Sequence, residues 1–150
     1  MQTSPAGLAF IAKNEGTCLT IKPDNRGPQI GHGHDLTPIE CQTGIVYGIP
    51  IEKGITEKDA DHILIQDMNT IYDPALARML PSTAAQNQWN AMADFIYNEG
   101  QAHLATLLHH GWSQVTAQLP AWVYGLVDGV ETKIPALVAR RTVETALFNS

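Results

Sequence analysis

Two carboxylates near the start of the chain, Glu15 and Asp24, have the types and spacing for acid–base chemistry. Glu15 follows Ile11 by four residues and Leu8 by seven, so a helix through this stretch carries all three on one side. A carboxylate beside apolar groups at the negative end of a helix dipole loses solvation and meets an unfavourable field. Both conditions favour the protonated form, which a general acid needs. Asp24 comes nine positions later, within Pro23-Asp24-Asn25-Arg26-Gly27-Pro28. Taken singly, each has an ordinary reading: an edge residue of a helix, and a turn aspartate bonded to its own backbone. In combination, the order helix, Glu-Gly, strand, Asp turn and return strand can set a desolvated and a hydrated carboxylate across a cleft. Glycoside hydrolysis uses that division of labour.

Other chemistry-bearing residues have competing uses. His32 and His34 would point the same way on a strand, with Asp35 adjacent, and His109-His110 is a second pair. Neither a His-Glu-x-x-His pattern nor a closely spaced cysteine pair accompanies them, so no metal and no other cofactor is expected. His32 serves as readily to line a cleft. Gly31-x-Gly33 lacks the third glycine of a dinucleotide fingerprint; its expected use is to let the backbone pass close to Glu15. Trp89, Trp112 and Trp122 are expected within helices as packing residues.

The elements that must hold these residues are marked by local signals. Ser4-Pro5 suits a helix start and Gly16 a helix end. Residues 19–21 and 29–34 read as short extended pieces around a turn, hence a hairpin. Thr37-Pro38-Ile39-Glu40 and Thr56-Glu57-Lys58-Asp59 have the form of capping boxes. The stretch between these boxes, rich in glycine over 43–54, reads as irregular. From Thr56, the set Ala60, Ile63, Leu64, Asp67, Met68 and Ile71 predicts one long helix. Ser82 is expected to cap a helix through Trp89, Ala93 and Tyr97 to Gly100. Shorter helices are expected over 104–109, 112–119 and 122–126, and a last one over 135–148. The reading is a single α+β domain with a small lobe over about 16–56 and a helical lobe over about 57–150 that includes the N-terminal helix.

Bulk properties exclude several classes. With 44% apolar and 16% charged residues, the chain has material for a packed core. The formal net charge of −6 and the absence of a basic run speak against nucleic acid as partner. No window reaches the length of a membrane span. The N-terminus has no basic, long apolar leader, so synthesis in the cytoplasm is expected, with Cys18 and Cys41 as reduced thiols.

An ordered set of segments resembles the phage lysozymes, endolysins of the muramidase type. It comprises Glu15-Gly16, Asp24, Ile30-Gly31-His32-Gly33-His34, Gly54-Ile55-Thr56, Phe95-Ile96-Tyr97-Asn98-Glu99-Gly100, and Arg140-Arg141 followed by Glu144 and Leu147-Phe148. The resemblance implies a lysozyme-like fold with a small hairpin lobe and a larger helical one. It also implies cleavage of the β-1,4 bond between N-acetylmuramic acid and N-acetylglucosamine in peptidoglycan. Glu15 then matches the family's proton donor and Asp24 the aspartate that activates water. His34, with Gly31, Gly33 and Gly100, matches structural support of the site, and Asn98 the cleft floor that contacts sugar. His32 and Gln29 fall where substrate or water is positioned; Gln29 stands where the family commonly has threonine, and the preceding turn is one residue shorter. The alternatives are a lytic transglycosylase using Glu15 alone, or a non-catalytic peptidoglycan-binding scaffold of the same shape. Action at the cell wall would need a separate release factor such as a holin.

Overall fold

The computed structural model describes residues 1–24 and 27–150. Asn25 and Arg26, the centre of the expected turn over 23–28, lie outside the described residues. Contacts divide the chain into two units, Leu8–Ile71 and Met1–Gly7 with Tyr72–Ser150.

Helix α1 (Pro5–Glu15) starts where Ser4 Oγ accepts the Gly7 N–H at 3.2 Å and stops at Gly16, whose φ of +75° lies in the left-handed region. Three strands follow: β1 (Cys18–Asp24), β2 (Gly27–Gly31) and β3 (His34–Asp35), antiparallel in that order. Lys22 pairs with Gln29 and Asp24 with Gly27 across β1 and β2; Gln29 pairs with Asp35 and Ile30 with His34 across β2 and β3. The expected hairpin is therefore a three-stranded sheet. The return stretch 29–34 cannot remain one strand, because Gly31 and Gly33 take φ of +68° and +84° and the chain turns at His32-Gly33.

Both capping boxes form. Thr37 and Glu40 cap α2 (Pro38–Thr43), and Thr56 and Asp59 cap α3 (Glu57–Asp67). Between them, the stretch expected to be irregular contains a minimal ladder of β4 (Ile45–Val46) and β5 (Ile49–Pro50). The long helix expected from Thr56 continues past Asp67 through a π-helical turn, Met68–Tyr72, into α4 (Asp73–Met79). In the first unit, Ile30, Leu36, Val46, Ile51, Ile55, Ala60 and Ile63 form one buried cluster. Ile30 enters this cluster from β2, so its neighbour Gln29 faces the opposite side of the sheet.

The second unit is built around α5 (Gln86–Glu99), buried at every position from Trp89 to Tyr97. Its start lies later than Ser82, where the Gln88 side chain accepts the Ala85 N–H at 3.0 Å. Next come α6 (Gln101–His109), then α7 (Val115–Gln118) flanked by 3-10 turns at Trp112–Gln114 and Leu119–Ala121. The helix expected over 122–126 is instead strand β6 (Tyr124–Val127), paired with β7 (Val130–Lys133). Asp128-Gly129, both at positive φ, makes the two-residue turn that hairpins prefer. Helix α8 (Pro135–Phe148) closes the chain. Trp89 is buried, whereas Trp112 and Trp122 are only partly so and lie at 3-10 turns.

Candidate active site

Glu15 is the last residue of α1 and is partly buried. Its carboxylate lies directly against Gly33: a Cβ at Gly33 would stand 3.1 Å from Glu15 Oε2. Position 33 thus needs glycine twice over, for its positive φ and for the space the carboxylate occupies. Gly31 has a different task. A Cβ there would meet Ala60 of α3 at 3.5 Å, so only the second glycine of the pair lies beside Glu15.

His32 is 6% exposed and turned inward. Its Nδ1 lies 2.7 Å from the Gly16 carbonyl, which can only accept, so that nitrogen donates. Its Nε2 faces Asp61 Oδ1 of α3 at 3.0 Å. Both nitrogens are engaged with protein groups, and the ring ties the residue after Glu15 to α3. The ring is thus held among protein groups at the end of α1. His32 lies in the turn after β2, whereas His34 begins β3 and has another set of partners, so the two rings do not form a pair.

His34 Nδ1 lies 2.9 Å from Asp67 Oδ2, and its Nε2 3.3 Å from Glu40 Oε2. Tyr47 donates its hydroxyl to Asp67 Oδ1 at 2.8 Å, from a backbone with φ of +46°. Burial works to lower the His34 pKa, but the Asp67 hydrogen bond and charge, with Glu40, raise it above the usual histidine value. Burial likewise opposes ionisation of Glu40, yet the Thr37 bonds and the His34 charge hold that carboxyl below its ordinary range. Burial and the Asp67 charge push the Tyr47 phenol up to about 12. Both ring nitrogens of His34 thus face carboxylate oxygens, and the side chain fixes β3 to α2 and α3.

Asp24 is exposed at the end of β1. The register places it on the same face as Lys22 and as Gln29, Lys22's cross-strand partner. Gln29 Nε2 donates to Asp35 Oδ1 across β3. Lys22, Gln29 and Asp35 therefore form a row across the sheet, with Asp24 beside it.

In the other unit, Asn98 accepts from Arg141 Nη2 at 2.8 Å through Oδ1. Gly100 makes the junction between α5 and α6 at φ of +85°. Arg141 is 1% exposed, bonds Glu99 at 3.1 Å and Glu144 at 2.7 Å, and lies over the Phe95 ring. Arg140 makes two bonds of 2.9 Å to the Asp94 carboxylate. Burial and the adjacent Asp94 push the Glu144 carboxyl well up, against the pull of Arg141 and Arg140. Arg140 thus pairs with Asp94 and Arg141 with Glu99, with Glu144 within reach of both. Among the described residues no group of three His, Cys, Asp or Glu is arranged to hold a metal ion.

Sequence reasoning missed Asp61, Asp67, Tyr47 and Asp35 as partners of the site residues. Asp67 left a signal, since it is the one acid in the apolar periodic set of α3; the others left none.

The family model described as phage lysozyme matches residues 12–144. The endolysin of Salmonella phage P22 is 31% identical over 100% of this chain and 99% of its own length. An endolysin of Acyrthosiphon pisum secondary endosymbiont phage 1 is 27% identical over 100% and 99%. Among solved structures, the muramidase domain of SpmX from Asticaccaulis excentricus superposes with a TM-score of 0.80 at 22% identity, covering 99% of this chain and 98% of that one. That likeness is one of lysozyme-like fold.

Proposed function

This chain belongs to the phage lysozyme family, and from that premise we propose that it is a lysozyme that hydrolyses peptidoglycan. The bond is the β-1,4 link between N-acetylmuramic acid and N-acetylglucosamine. The observation that carries the site assignment is the Glu15 carboxylate at the end of α1, seated against Gly33 where no side chain can intervene. Glu15 serves as the general acid that protonates the leaving oxygen. Asp24, exposed on its sheet face, takes a proton from the attacking water in an inverting displacement. Gln29, on the same face, orients that water.

Three residues of the same unit support these. His32 holds Gly16, and through it the end of α1; Gly31 seats the sheet on α3; His34 anchors β3. Asn98 contacts sugar through its amide nitrogen, its oxygen being engaged by Arg141, and Gly100 shapes the turn beside it. Acid and base are protein side chains, so the reaction draws on no cofactor. No described helix is long and apolar enough to cross a membrane; the proposed route to the wall is release by a separate factor such as a holin.

Product analysis tests the reaction. Purified peptidoglycan digested by the protein should yield reducing muramic acid ends of inverted configuration. Anhydro-muramic ends would replace hydrolysis by transglycosylation, with Glu15 acting alone, and wall binding without products would make the chain a binding module.

A further inference from the structure

A carboxamide has a donor end and an acceptor end, and only the acceptor helps a water attack. Attacking water must keep a lone pair toward the anomeric carbon. It does so by donating both hydrogens, one to Asp24 and one to Gln29 Oε1. With the amide turned over, Nε2 donates to the water oxygen, ties up one of its two lone pairs and lowers its nucleophilicity. The two orientations are nearly alike in shape and differ by a half-turn about the last torsion of the side chain. A threonine hydroxyl, which both donates and accepts, has no such ambiguity.

Asp35 removes the ambiguity. It is the cross-strand partner of Gln29 on β3, and its Oδ1 accepts from Gln29 Nε2. A carboxylate carries no hydrogen to give, so only the nitrogen end of the amide can face it. Oε1 is thereby held on the other branch of the amide, turned away from Asp35, with the side chain on the sheet face that carries Asp24. The geometry points to Asp35 as a positioning residue that fixes the Gln29 amide with its oxygen as the water acceptor. This role rests on the proposed assignment of the attacking water to Asp24 and Gln29. Asp35 touches no reacting atom; it acts through Gln29. The site thus replaces a single hydroxyl by a two-residue device.

The test measures kcat and KM on soluble peptidoglycan fragments for Asp35→Asn, Asp35→Ala, Gln29→Thr and Gln29→Thr/Asp35→Asn, with thermal melts to confirm folding. Asp35 is exposed, so its variants should keep the wild-type melt. Asparagine offers the amide either end and alanine offers none. Both should lower kcat about tenfold or more, with KM within about twofold, the pattern of a misplaced reactant. The double variant should match Gln29→Thr, because a hydroxyl has no orientation to fix. Wild-type kcat in both Asp35 variants would overturn the role, as would an equal loss in the threonine background. Glu15→Gln in the same series separates the two levels. If it is inactive while Asp35→Asn is fully active, the role of Asp35 alone falls; if it is itself active, the whole site assignment falls.

Discussion

Asp67→Asn preserves the shape of the buried carboxylate while removing its charge, which isolates the ion pair with His34. The two residues are 2% and 7% exposed, and their closest approach is 2.9 Å. An exposed pair is worth about 0–1 kcal/mol, whereas breaking a buried one costs about 3–5 kcal/mol. Asparagine can still accept from His34 Nδ1 and from the Tyr47 hydroxyl, so the lower end, about 3 kcal/mol, is expected with His34 charged. The sign of the pH dependence follows from His34, whose folded-state pKa is raised above 6.5. Its stabilisation is complete below the unfolded value and is lost as pH rises through the folded one. Urea denaturation of both proteins over a pH series that starts at about 5.5 and rises through the His34 transition gives the comparison. The difference should shrink from about 3 kcal/mol to about 1 kcal/mol, the worth of a neutral hydrogen bond. A difference that stays constant over the whole series would refute the charged pair.

Gly33→Ala adds a Cβ at 3.1 Å from Glu15 Oε2 and forces alanine to a φ of +84°. It should cost about 1–2 kcal/mol in a thermal melt and lower turnover by about 10- to 100-fold; full turnover would show that Gly33 does not set the carboxylate. Glu144→Gln should change stability by less than about 1 kcal/mol, since burial and Asp94 already favour the neutral acid. Glu144→Ala, which leaves a cavity and strips Arg141 of a bond, should cost about 2–4 kcal/mol by the same denaturation assay. A glutamine variant as damaged as the alanine one would mean that Glu144 is charged.

What was legible in the sequence was local. Helices α2, α3 and α8 announce themselves through Thr37 with Glu40, Thr56 with Asp59, and Pro135, because caps and first-turn prolines act within one turn of chain. The hairpin of β6 and β7 was concealed by the apolar run after Trp122, which suits a helix or a strand equally; Asp128-Gly129 was the deciding signal. Ser82 resembled a cap, but the first turn of α5 closes on Gln88. The division of 29–34 into two strands depends on positive φ at Gly31 and Gly33, which a side-chain pattern does not reveal. At the candidate site, the residue identities came from the family resemblance and their supports did not. His32 with Asp61, His34 with Asp67 and Gln29 with Asp35 are tertiary pairings that no local periodicity encodes.

The central claim is that Glu15 is the acid that cleaves the glycosidic bond, and the direct measurement is turnover of purified peptidoglycan by Glu15→Gln. Glutamine keeps the volume beside Gly33 and removes the transferable proton, so the variant should fold with a wild-type circular dichroism spectrum and melt. Its rate should fall by at least about 10²- to 10⁴-fold, the worth of a positioned general acid. A folded Glu15→Gln protein that cleaves peptidoglycan at close to the wild-type rate would contradict the account.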